Sequence, residues 1–152
     1  MKIHKKSLKI REVTLGKNHP NYAASLQNLS DIYIEFGDYK RSYSLLNNVL
    51  DIYVENYGNE HIEVGKCLLS IADFYGEISD YESAELFYKK SLKIIKKILG
   101  ENNLYFVAGL NNLAIVVEKL GDLKTSEALY RQALNISINL LGNENPDVAS
   151  IL

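Results

Sequence analysis

The sequence predicts an all-α protein built as a stack of antiparallel helix pairs, and two observations carry the prediction. Glycines at positions 16, 58, 100 and 142 recur every 42 residues, each directly after a Leu or a Tyr. Self-similarity at a fixed period of this length marks a repeat architecture. Within a period, apolar residues keep helical spacing on both sides of a short turn. Leu110, Leu113, Ala114, Val117 and Leu120 trace one stripe before Gly121-Asp122, and Leu123, Ser126, Tyr130, Ala133, Leu134 and Leu141 trace a second stripe after it. Two antiparallel helices that face each other satisfy both stripes.

The same register runs through the chain. Asp38, Asp80 and Asp122 mark the turns inside each pair; Leu26, Leu68 and Leu110, then Leu29, Ile71 and Leu113, mark the first helices; Leu46, Tyr88 and Tyr130, then Leu50, Leu92 and Leu134, mark the second. Helices are expected near 2–15, 20–36, 39–57, 62–78, 81–99, 104–120 and 123–141, with an eighth starting at 146. Pro20 and Pro146 suit the first turn of a helix, where a missing N–H costs nothing. His19, His61, Asn103 and Asn145 fall at the preceding cap position, the asparagines being the better caps.

This divides residues 1–152 into a single repeat domain: 1–15 as the second helix of a partial repeat, full repeats at 16–57, 58–99 and 100–141, and the start of a further repeat at 142–152. The opening stretch, His4 to Gly16, matches Tyr88 to Gly100 at eight of thirteen positions, so the chain opens on a second helix. That helix is expected to pack through Ile3, Leu8 and Ile10.

Composition narrows the function. A chain of 152 residues with 47% apolar content can bury a core, and a net charge of −2 gives no global attraction to nucleic acid or an anionic membrane. No apolar run approaches the ~18 residues of a membrane span. The N-terminus is basic and amphipathic, without the apolar core of a secretion signal. The single Cys67 forms no intrachain disulfide and is compatible with a reducing compartment, so a cytoplasmic location is expected.

A search for chemistry returns no catalytic residue, no metal site and no cofactor. His19 and His61 sit one period apart as helix-start residues, His4 has no partner motif, and Cys67 reads as a small buried hydrophobe. The glycines are spread one per loop and form no phosphate cradle, and no two carboxylates are paired for acid–base work. Lys89, Lys90, Lys93, Lys96 and Lys97 form one basic helical face, and Lys2, Lys5, Lys6 and Lys9 another; both read as solvated outer surface.

The small residues Ser30, Ala72 and Ala114, the Gly-Asp-Tyr turn at 37–39 and the run from Tyr130 to Leu134 resemble tetratricopeptide repeats. The 42-residue period, with LGKNHP at 15–20, SLQNLSDIY at 25–33 and GLNNLA at 109–114, resembles the kinesin light chain subtype. Ser42, Ser126 and Ser79 depart from the family's usual Ala, Ala and Gly. The resemblance implies a right-handed superhelical solenoid and a protein–protein interaction module that is part of a larger scaffold, adaptor or regulatory protein.

In such arrays the first helices line a concave groove that holds an extended peptide or a partner helix. Carried over by register, the groove positions are Gln27, Asn28, Asp31 and Glu35; Lys66, Leu69, Ser70, Asp73 and Glu77; and Asn111, Asn112, Ile115, Glu118 and Lys119. Asparagine offers a peptide backbone both a donor and an acceptor. Carboxylates outnumber lysines among these positions, so the expected partner is a protein or peptide carrying Lys or Arg. Two alternatives stand beside this reading: self-assembly through unpaired terminal helices, and a sensor or regulatory role for an enzyme whose catalytic domain lies outside the chain.

Overall fold

The computed structural model describes residues 2–141, with side-chain surroundings over 8–140. Seven helices follow one another: α1 (Lys2–Leu15), α2 (Pro20–Glu35), α3 (Tyr39–Tyr57), α4 (Ile62–Glu77), α5 (Tyr81–Leu99), α6 (Leu104–Lys119) and α7 (Leu123–Leu141). No strand occurs among the described residues. The eighth helix expected at 146 lies outside them.

The helices start and stop for local reasons. α2, α4 and α6 each end one residue earlier than the hydrophobic stripe suggests, because Phe36, Ile78 and Leu120 serve as C-caps. After each cap the backbone turns left-handed, at Gly37 (φ 71°), Ser79 (φ 61°) and Gly121 (φ 93°). In the first turn Gly37 N donates to Ile34 O and Asp38 N to Tyr33 O, the paired bonds that close a helix through a left-handed residue. The aspartate then opens the next helix: Asp38, Asp80 and Asp122 accept from the backbone N–H of Arg41, Ser83 and Thr125. One two-residue turn thus both ends a helix and starts its antiparallel neighbour. His19 and His61 cap α2 and α4 by accepting from Asn21 N and Glu63 N at Nδ1, and Asn103 caps α6 by accepting from Phe106 N at 2.9 Å.

Packing follows the register. One core cluster joins Tyr22, Leu26, Leu46, Val49, Cys67, Leu68 and Ile71 across α2, α3 and α4; another joins Tyr88, Leu92, Phe106, Leu110, Leu113 and Ala133 across α5, α6 and α7. The serines that replace alanine keep the helices close and bond across the gap. Ser30 Oγ and Ser42 Oγ lie 2.8 Å apart, and Ser126 Oγ donates to Ala114 O at 2.9 Å. Where α4 crosses α5 the side chains of Ile94 and Ile95 lie against Gly65, and there Ser91 Oγ donates to the carbonyl of Gly65 at 2.6 Å.

Two expected contacts differ. Leu8 packs against the first cluster, but Ile10 is 56% exposed, because two residues on a helix rotate a side chain by about 200°. The helix is anchored instead by Arg11, whose guanidinium donates to Asn21 O and Ser25 Oγ. Leu123 is 67% exposed at the start of α7, so the facing stripe of that helix begins at Ser126.

Curvature follows from which helices meet. α2 touches α4 and α4 touches α6, whereas α1, α3, α5 and α7 touch only their chain neighbours. Successive first helices therefore approach one another, which makes theirs the concave side of the stack.

Candidate functional site

Asp31, Asp73 and Ile115 occupy the same register position on α2, α4 and α6, and so do Asn28, Ser70 and Asn112. Some of these residues bond directly across the junctions. Gln27 Nε2 donates to Ser70 Oγ at 2.8 Å from α2 to α4, and Asn112 Nδ2 donates to Asp73 Oδ1 at 3.0 Å from α6 to α4. The amides expected to meet a ligand are thus partly occupied in tying adjacent repeats together.

Asp73 is the most constrained of the groove residues. The hydroxyl of Tyr88, rising from α5, donates to the same Oδ1 that Asn112 reaches. Burial raises the carboxyl above the usual range, the two hydrogen bonds pull it back, and Glu77 adds to the rise. The Tyr88 phenol is pushed up in turn by burial and by the Asp73 charge, which keeps it neutral and a donor. Asp31 is also raised, first by burial, then by the charges of Asp73 and Glu35. Asp31, Glu35, Asp73 and Glu77 form no ion pair among the described residues, and Lys119 is the cation that shares the cleft with Asp73 and Glu77, so carboxylates predominate in the groove.

Beside Asp73 opens a cleft of about 470 Å³, walled by Glu77, Tyr81, Tyr88, Asn112, Ile115 and Lys119. It therefore gathers five of the register-derived residues, Asp73, Glu77, Asn112, Ile115 and Lys119. Neither Tyr88 nor Tyr81 is among the groove positions carried over by register. Tyr88 also belongs to the core stripe, and the signal for its second role is its hydroxyl, since a buried tyrosine needs a partner.

Other register positions are placed differently. Lys66 is held by Glu63 at 2.9 Å and lies over the Tyr105 ring at 4.7 Å, so its charge is engaged within the stack. Glu118 lines a hollow with Leu123, Tyr130 and Leu134 at the α6–α7 end, apart from the cleft. Asn111 is half-buried and its Oδ1 is buried without a hydrogen-bond partner. Asn28 and Ile115 are exposed.

The competing α5 surface is partly neutralised. On the basic face of α5, Lys89 pairs with Glu85, Lys96 with Glu101 and Lys97 with Glu60, while Lys90 lies over the Phe87 ring at 5.3 Å. Cys67 is fully buried against Leu46 O, and burial pushes its thiol up to about 12, far from the thiolate a nucleophile requires. Among the described residues no three His, Cys, Asp or Glu side chains converge on a metal-sized site, and no helix is long and apolar enough to cross a membrane.

A stack of capped helix pairs with a polar first-helix groove defines a helical-repeat protein. Family models described as tetratricopeptide repeat match residues 2–42, 31–97 and 108–147, and the chain belongs to that family. Such repeats mediate protein–protein interactions and are typically non-catalytic. No curated sequence matches the chain. Among solved structures, BtubC (BKLC) from P. vanneervenii is similar with a TM-score of 0.84 at 22% identity, over 99% of this chain and 60% of that one. The nearly identical TPR-like repeats of a protein assigned as a kinesin light chain in Podosopora anserina give TM-scores of 0.80 and 0.78 at 21% identity, over 99% of this chain and 71% of theirs. The 42-residue repeats thus fold as kinesin-light-chain-like tetratricopeptide repeats, and the chain spans 60% of the length of BtubC.

Proposed function

We propose that the chain binds a protein segment along the concave face of α2, α4 and α6, and that the segment carries Lys or Arg. The observation that carries this reading is the row of carboxylates Asp31, Glu35, Asp73 and Glu77, none in an ion pair among the described residues; Asp31 and Asp73 are raised first by burial and then by neighbouring carboxylates. Such charges oppose folding, and a cationic partner relieves them. Three of the five α5 lysines, Lys89, Lys96 and Lys97, are paired with carboxylates, which reduces the charge the outer face offers a partner. Within this reading the chain works as one repeat array in a larger scaffold, adaptor or regulatory assembly in the cytoplasm.

The test is site-specific photo-crosslinking. A photoreactive side chain at Asn28 or Ile115, both exposed on first helices, should capture the partner segment, and one at Lys93 on α5 should not. Capture at Lys93 alone would overturn the assignment.

A second reading, self-assembly, has one observation in its favour: Ile10, Val13 and Thr14 with Lys9 line an apolar hollow on the outer side of α1. Sedimentation across concentration separates the two, since a mass that rises and then falls back in Val13→Lys would favour association of copies.

A further inference from the structure

The cleft at the second-to-third repeat junction contains an arrangement that the repeat register does not demand. The second-helix position occupied by Tyr88 is Leu46 one period earlier, and the first-helix position of Asp73 is Ile115 one period later. At this pair of register positions only the middle repeat has both a carboxylate and a phenol. The Tyr88 hydroxyl, buried between helices, and the Asn112 amide, from the next repeat, both donate to Oδ1 of Asp73. The other oxygen, Oδ2, accepts no hydrogen bond from any described residue. A carboxylate torsion is ordinarily broad, and two donors from two different helices fix its plane.

We propose that Tyr88 is a specificity-determining positioning residue. With Asn112 it turns Asp73 so that Oδ2 receives the cationic side chain of the bound segment in the cleft beside Glu77 and Tyr81. This rests on the reading that the concave face binds a basic segment. The two neutral donors leave the carboxylate its charge while removing its freedom to reorient, so a guanidinium or ammonium meets a pre-set acceptor and forms a charge-assisted hydrogen bond. In the first repeat Asp31 has no such holder: its register equivalent of Tyr88 is Leu46, and Ser70, the equivalent of Asn112, accepts from Gln27 and makes no bond to Asp31 among the described residues. Selectivity for the cation is therefore set at Asp73.

The test uses isotope-labelled full chain and two small probes: N-acetylarginine amide, and the neutral isostere N-acetylcitrulline amide. Resonances of Asp73 and the Asn112 side-chain amide should move with the arginine probe and not with the citrulline probe. Asp73→Asn should abolish that difference. Tyr88→Phe keeps the ring in the core and removes the hydroxyl; it should weaken the arginine probe roughly threefold to tenfold. It should also raise the titration midpoint of the Asp73 carboxyl, because one of the bonds holding it down is gone. A purely structural role for Tyr88 moves neither quantity. If Tyr88→Phe fails to fold, Asn112→Ala removes the other donor to the same oxygen from a half-exposed position and carries the same expectation. Loss of the arginine response in Asp73→Asn with no change in either positioning variant would overturn the role of Tyr88 and leave the basic-segment reading standing. Equal or absent responses to the two probes in the native chain would overturn both.

Discussion

Asn112 on α6 donates its side-chain amide to Asp73 on α4 across 3.0 Å, so the two residues placed side by side in the groove by register are already bonded to each other. The amide therefore acts on a ligand mainly through the carboxylate it holds. Asn112→Ala is expected to raise the Asp73 titration midpoint and to change global stability by about 1 kcal/mol or less, as for one exposed hydrogen bond. Carboxyl-resolved NMR titration beside thermal unfolding checks both.

The raised carboxyls also fix a pH dependence. A carboxyl whose folded pKa lies above its unfolded value binds its proton more tightly in the native state, so its contribution favours the native state at low pH and is lost as pH rises through the folded pKa. Asp73 and Asp31 both have this sign. Asp73→Asn should therefore stabilise the chain near neutral pH, with the gain shrinking as pH falls toward the carboxylate range. Denaturant midpoints at several pH values measure it, and a gain independent of pH would contradict the assignment.

Ser79 tests the turn. It holds a left-handed backbone where the equivalent residues are Gly37 and Gly121. A residue with a Cβ there costs on the order of 1 kcal/mol. Ser79→Gly should raise stability by about that amount, and Gly37→Ala should lower it similarly, as read by chemical denaturation.

Much of this was legible before any coordinates. The period and the two stripes fix seven helices, because apolar spacing and turn chemistry agree in three registers. Helix ends erred by one residue at Phe36, Ile78 and Leu120, since those residues belong to the stripe yet serve as caps. Ile10 was misplaced because an apolar side chain at the wrong helical angle looks the same in a sequence as one at the right angle. The groove was legible as a row of positions and not as a set of bonds. That Lys66 turns to Glu63 and Tyr105, or that Tyr88 reaches Asp73, depends on side-chain rotamers and on contacts from other helices.

Ser30 and Ser42 provide an internal control on packing. Their hydroxyls bond at 2.8 Å where the middle repeat has Ala72 and Ala84. Ser42→Ala alone should cost about 1 kcal/mol or more by leaving a buried hydroxyl poorly partnered, while Ser30→Ala with Ser42→Ala should recover most of the loss. A double-mutant cycle in urea reads the coupling directly.

The most direct test of the central claim is the affinity of the photo-captured segment, as a synthetic peptide, for the native chain, Asp73→Lys and Lys93→Glu at low and high salt. If the concave carboxylates hold the partner, Asp73→Lys weakens binding by about tenfold or more at low salt, the loss shrinks as salt screens it, and Lys93→Glu binds as the native chain does. Unchanged binding by Asp73→Lys together with loss in Lys93→Glu would place the partner on the outer face of α5 and contradict the account.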